Sequence, residues 1–189
     1  MAWWQEDIQA ILFGPEVIRE KVEVLARQIS ADYCTSAEPL VLVGILKGSL
    51  FFLADLARAL SIPLEIEVMS LSSYGAATRS SGAVQLLKDL DADIADRRVL
   101  IVEDIVDTGL TLSYLLRNLR ARKPRSLEVC TVLDKPARRS VDIPISYSGF
   151  AVADEFVVGY GLDWDQRYRN LPFIGVLKPE CYNPEAAER

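Results

Sequence analysis

Glu103, Asp104, Asp107, Thr108, Gly109 and Thr111 stand together in the stretch Glu-Asp-Ile-Val-Asp-Thr-Gly-Leu-Thr. The adjacent carboxylates of Glu103 and Asp104 can accept from hydroxyl groups or from the waters of a hard cation. The Thr108-Gly109-Leu110-Thr111 turn offers backbone N–H groups and hydroxyls, and with a helix behind it becomes an anion cradle. The carboxylates would repel a bare phosphate. A ligand that satisfies both halves therefore carries a phosphate at one end and hydroxyls or a hydrated cation at the other. A ribose 5-phosphate with Mg²⁺ meets that description. A plainer reading stays open, in which this is a polar turn with Asp107 or Thr108 as helix N-cap.

The flanking sequence supplies the elements that would hold these groups. Residues 99–102 form a continuous run of Val, Leu and Ile, the pattern of a strand buried on both faces, and the run stops at Glu103. Leu112, Leu115, Leu116 and Leu119 then recur at helical spacing. Strand, loop and helix follow in order, with carboxylates at the strand's carboxyl end, where open α/β sheets place ligands. Residues 40–45 and 50–60 repeat this grammar around Lys47-Gly48-Ser49, so Lys47 and Gly48 are expected on the same rim. There they could bind an anion through an ammonium and exposed amides, or Lys47 could simply be solvated.

Gly14-Pro15-Glu16 opens a helix whose apolar stripe runs through Ile18, Val22, Leu25 and Ile29 to about Tyr33. Residues 64–71 alternate, predicting a strand with one face near solvent. Further strands are expected over 84–87, 127–133, 147–152 and 173–177, with an extended segment over 156–163. The expected fold is α/β, a mostly parallel sheet flanked by helices, in a single domain over residues 1–189.

Composition narrows the function classes. Half of the 189 residues are hydrophobic and a quarter charged, which fits one globular core. There is no histidine, which removes Ser-His and Cys-His nucleophilic systems and most zinc enzymes. Cys34, Cys130 and Cys181 are too widely spaced for a zinc site or a disulfide framework. The net charge of −6 gives no general attraction to nucleic acid. With no apolar run of membrane-spanning length and no basic leader, a cytoplasmic protein without membrane partners is expected.

Two carboxylates followed by Asp-Thr-Gly-x-Thr after an apolar strand resemble the ribose-phosphate signature of the type I phosphoribosyltransferases. Val-Asp-Thr-Gly also opens the catalytic loop of aspartic proteases, but those are all-β, and a helix follows this loop. Lys135 and the segment from Phe156 to Asp163 resemble the 6-oxopurine branch, the hypoxanthine-guanine phosphoribosyltransferases. The resemblance extends over residues 12–177.

The resemblance implies transfer of a phosphoribosyl group from PRPP to hypoxanthine or guanine. Glu103, Asp104, Asp107, Thr108, Gly109, Leu110 and Thr111 would bind ribose phosphate, with Asp107 as catalytic base. Some relatives carry lysine at the position of Leu110, where a backbone amide would suffice. Lys135 would donate to the purine 6-oxo group, Phe156 would stack, Val157 would read the purine edge and Asp163 would lie beside it. Lys47, Gly48, Ser73, Tyr74 and Arg169 would contact pyrophosphate, Ser73 and Tyr74 from a lid, and a non-proline cis peptide often precedes the lysine. Mg²⁺ would be held near Glu103, Asp104 and Asp163. A small hood from the N-terminal segment plus about 153–180 would cover the purine, and a homodimer or homotetramer is expected. A xanthine- or pyrimidine-directed enzyme and an RNA-binding or ligand-sensing regulator on the same fold are the alternatives.

Overall fold

The computed structural model describes residues 2–73 and 84–183. Its main sheet has six strands: β2 (Leu40–Leu46), β3 (Leu64–Ser73), β4 (Val84–Lys88), β5 (Arg98–Val106), β6 (Ser126–Asp134) and β7 (Tyr147–Ala151). Their order is β4-β3-β2-β5-β6-β7, and every neighbouring pair is parallel except β3 with β4. Three helices flank it: α1 (Pro15–Tyr33), α2 (Leu50–Ala59) and α3 (Leu110–Arg120).

The continuous apolar runs exist because both faces of the sheet are covered. Leu40 and Leu42 of β2, Leu100 and Val102 of β5, and Cys130 and Val132 of β6 pack with Ile18, Val22 and Leu25 of α1 and with Phe52 and Leu56 of α2. The alternate residues, Val41, Val43, Val99, Ile101 and Val129, pack with Leu112, Leu115, Leu116 and Leu119 of α3. One-residue alternation along each strand thus feeds two separate cores.

β5 runs further than the sequence pattern implies. Glu103, Ile105 and Val106 pair with Thr131, Leu133 and Asp134 of β6, so the carboxylates sit within the strand. The backbone ladder decides where a strand ends, and polar side chains near a rim do not interrupt it.

The hood is a separate antiparallel sheet in the order β1-β9-β8, formed by β1 (Ile8–Phe13), β8 (Val157–Val158) and β9 (Ile174–Leu177). Ile8, Val158, Tyr168, Leu171, Phe173 and Leu177 form its own core. Only Val157–Val158 of the expected extended segment is strand. Beyond it the chain reverses through Gly159 and Leu162, which form an isolated bridge. A short helix α4 (Pro179–Tyr182) follows β9. The polar tail after Asn183 lies outside the described residues. Among those described, no helix is long and apolar enough to cross a membrane, and all three cysteines are free.

Candidate active site

Sheet register brings the rim groups together. Val106 pairs with Asp134, so Asp107 and Lys135 are the first residues past two adjacent strand ends, and Lys135 N donates to Val106 O at 3.0 Å. On the other side of β5, β2 ends at Leu46 and the Leu46–Lys47 peptide is cis. This gathers Lys47, Asp107 and Lys135 at the carboxyl edge of three parallel strands.

The carboxylates of β5 occupy an unusual environment. Glu103 is buried, and burial followed by the charge of Asp104 pushes its carboxyl well above the ordinary value. Among the described residues no basic side chain pairs with it. Burial also raises Asp104 to about 6, against the lowering influences of the Ile105 amide and Arg169. Asp104 Oδ1 accepts from Ile105 N at 2.8 Å.

Gly48, Gly161 and Arg169 surround this pair. A Cβ on Gly48 would lie 1.5 Å from Asp104 Oδ2, and one on Gly161 would lie 1.9 Å from Gly48 O. Both positions therefore need glycine to let three segments of chain converge. Arg169 Nη1 donates to Gly161 O at 2.7 Å, and Nη2 lies 2.7 Å from Asp163 Oδ1. Asp163 Oδ2 accepts from Gln166 N at 2.8 Å, while Lys47 Nζ donates to Gln166 Oε1 at 3.2 Å. Lys47, Gly48, Asp163 and Arg169 are thus linked, with Gln166 as a hub that the sequence reading missed.

The anion loop differs from the simple capped turn. The residue preceding α3 is Gly109, in the left-handed region at φ 81°, and no side chain caps the helix by hydrogen bonding. Neither Asp107 nor Thr108 is the N-cap. Thr108 Oγ1 instead accepts from Leu110 N at 3.4 Å, Thr111 lies in the first helical turn, and the Leu110 side chain faces solvent. The chain after β6 braces this loop. Arg139 Nη1 donates to Asp107 O at 3.1 Å, and Ser140 N donates to Thr108 O at 2.9 Å.

A cavity of about 490 Å³ lies between rim and hood, lined by Ile105, Asp107, Lys135, Phe156, Val157 and Asp163, with Arg138, Asp154, Glu155 and Tyr182. Lys135 is buried, and its Nζ donates to Glu155 O at 2.6 Å. Phe156 already stacks on Tyr182 at 4.7 Å between centroids and 22° between planes. Trp164 meets Phe156 edge-on. Ser73 ends β3, and Tyr74 lies outside the described residues.

Residues 10–165 match the phosphoribosyl transferase domain family. The hypoxanthine-guanine phosphoribosyltransferase of Mycobacterium avium is 52% identical over 180 residues, covering 93% of this chain and 89% of that one. The Bacillus subtilis hypoxanthine-guanine phosphoribosyltransferase is 49% identical over 178 residues, covering 94% and 98%. A crystal structure of a Staphylococcus aureus hypoxanthine phosphoribosyltransferase superimposes with a TM-score of 0.91 at 47% identity, covering 96% of this chain and 98% of that one. The chain belongs to the hypoxanthine-guanine phosphoribosyltransferases.

In this phosphoribosyltransferase the sequence reading missed five further cavity groups, Ile105, Arg138, Asp154, Glu155 and Tyr182. Tyr182 arrives on a helix too short to show periodicity. Arg138 is one of several charges after Lys135, and nothing in its spacing distinguishes it. Ile105 sits between two carboxylate positions and reads as ordinary strand. Glu103, Asp104 and Asp163 do not form a three-carboxylate metal cluster: among the described residues no three potential ligands gather closely enough to hold an ion. Asp163 is held by Arg169 and the Gln166 amide.

Proposed function

We propose that this phosphoribosyltransferase transfers the 5-phosphoribosyl group of PRPP to hypoxanthine or guanine in purine salvage, giving IMP or GMP and pyrophosphate. The observation that carries this reading is the cavity in which Asp107, Lys135, Phe156 and Val157 converge beside the anion loop. Purine N9 attacks C1 of the ribose as the bond to pyrophosphate breaks, and the N7 proton passes to Asp107. Lys135 has only donors and turns from the Glu155 carbonyl to the 6-oxo group. The Val157 carbonyl accepts from N1–H and from the 2-amino group of guanine. The Thr108–Thr111 amides and hydroxyls bind the 5-phosphate, and Glu103 and Asp104 face the ribose hydroxyls. Lys47, the Gly48 amide and Arg169 receive the pyrophosphate. Ser73 and Tyr74 are the remaining expected pyrophosphate contacts, Ser73 at the end of β3 and Tyr74 outside the described residues.

The donor set suits Mg²⁺. Glu103 is buried and Asp104 half-buried, desolvation pushes both toward protonation, and neither makes an ion pair among the described residues. Mg²⁺ is usually held by one or two carboxylates plus substrate phosphates rather than by a protein cage. Glu103 and Asp104 would hold it directly or through water together with substrate phosphates, Asp163 would reach it only through water, and when bound it would neutralise charge on the leaving pyrophosphate.

The active form is a homodimer or homotetramer in the cytoplasm. Exposed Trp3, Leu50 and Phe51 around a cavity beside Lys47 support a covered face there. Light scattering tests it, and a monomer at working concentration would remove it. The function is tested by assaying PRPP with hypoxanthine, guanine, xanthine, adenine and uracil, with and without Mg²⁺. Turnover of hypoxanthine and guanine is expected, and preference for xanthine or uracil would overturn the reading.

A further inference from the structure

Arg138 ends the 3-10 turn Pro136–Arg138 that begins directly after Lys135, and it reaches two ways across the mouth of the purine cavity. Its Nε lies 2.8 Å from Asp107 Oδ1. Its Nη1 donates to Asp154 Oδ1 at 2.8 Å. Asp107 Oδ1 is itself buried and has no aligned hydrogen-bond donor among the described residues. The guanidinium charge is therefore what compensates this oxygen. Among the described residues Asp107 is otherwise braced through its main chain, by Arg139, which fixes the loop but not the carboxylate rotamer. Arg138 and Asp154 are both exposed and belong to none of the three hydrophobic clusters. Core packing does not call for this bridge.

We propose that Arg138 is a positioning residue for the proton acceptor: it holds Asp107 Oδ1 and presents Oδ2 to purine N7, while Asp154 anchors the guanidinium from the hood side. The inference rests on the functional reading above and deepens it. An aspartate free to rotate spends only part of its time aligned with the N7–H bond, and alignment is a large share of what a catalytic group contributes. In the step itself the N7–H bond breaks and an O–H bond forms on Oδ2, as C1 bonds N9 and releases pyrophosphate. Arg138 neither touches the substrate nor exchanges a proton. Because Lys135 and Arg138 flank a single turn of chain, the group facing the 6-oxo atom and the group orienting the base share one rigid support.

The test measures steady-state kinetics with hypoxanthine for Arg138→Gln, Arg138→Lys and Asp154→Asn, each also combined with Asp107→Asn. Arg138→Gln should lower kcat by about 10–100-fold while KM for PRPP stays near the parent value. Arg138→Lys should recover part of the loss, and Asp154→Asn should lose less than Arg138→Gln. In the Asp107→Asn background Arg138→Gln should add no further loss, because the group it acts through is gone. An equal fold-loss in both backgrounds overturns the inference, as does a kcat loss that tracks a lowered melting temperature across the variants. If the parent turns over hypoxanthine and Arg138→Gln matches it, the inference fails alone. An inactive parent overturns the functional reading and the inference together.

Discussion

Gly48 and Asp104 stand so close that a Cβ on the glycine would lie 1.5 Å from the Asp104 carboxylate oxygen. Gly161 backs Gly48 at similarly short range. The Lys47–Gly48 loop, β5 and the hood are thus in contact through hydrogen-sized side chains. Gly48→Ala must displace either the Lys47–Gly48 loop or Asp104. Misplacement of about 1 Å near reacting groups costs on the order of 100-fold in rate. Gly48→Ala should fold, keep the parent's circular dichroism and lose at least that much kcat/KM for PRPP. Near-parental kinetics would show that the close approach has no bearing on turnover.

Asp107→Asn should lower kcat far more than it weakens PRPP binding. The amide keeps the size of the side chain but cannot take a proton at neutral pH, and general-base assistance is typically worth about 10²–10⁴-fold. Helix capping offers no competing explanation, because α3 is preceded by Gly109 and no side chain caps it. Single-turnover rates beside PRPP binding isotherms separate the two effects. A variant within a few-fold of the parent would remove Asp107 from proton transfer.

The buried carboxylates predict how the metal-free protein responds to pH. Asp104 has a folded-state value of about 6 against 3.8 when unperturbed, so between these values the native state binds more protons than the unfolded state. Stability therefore falls as pH rises from about 4 to 6, and the penalty persists above that range. Asp104→Asn removes the buried charge and should raise stability at pH 7.5 by about 1–2 kcal/mol, allowing for partial solvent contact of the side chain. It should also flatten the pH dependence of melting and reduce turnover. A variant less stable than the parent at pH 7.5 would contradict the burial argument. Excess chelator should abolish turnover, and undiminished rates would remove Mg²⁺ from the mechanism.

These groups differ in how far the chain itself discloses them. Val99, Ile101, Leu112 and Leu115 announce strand and helix because both faces of the sheet must be covered, and covering leaves a periodic trace. Asp107 and Lys135 are legible as rim residues for the same reason, since each follows an apolar run. The continuation of β5 through Glu103 and Asp104 is not legible, because it depends on pairing with β6. Nor is the stacking of Tyr182 on Phe156 or the reach of Arg138 to Asp107. The first contact joins segments brought together by the hood, the second joins the loops after β5 and β6 brought together by their ladder, and no local propensity encodes either.

Base choice follows from the environment of Lys135. The side chain is buried, and its Nζ donates to the Glu155 carbonyl, so the ammonium is already held at the cavity wall rather than swinging in solvent. A 6-oxo purine offers it an acceptor. Adenine would bring a 6-amino donor against a donor in a partly desolvated pocket, which costs more than a missing contact. Sites built around such a hydrogen bond can discriminate by roughly 10⁴-fold, so adenine should be a very poor substrate. Lys135→Ala should reduce kcat/KM for hypoxanthine and guanine alike and narrow the gap to adenine. Arg138→Gln, by contrast, should slow every purine by the same factor, because it acts on the base catalyst rather than on recognition of the 6-position. Competing hypoxanthine and adenine in one reaction and following both nucleotide products reads the ratio directly. Comparable kcat/KM for the two bases in the parent would overturn the role of Lys135 and the assignment to 6-oxopurines with it.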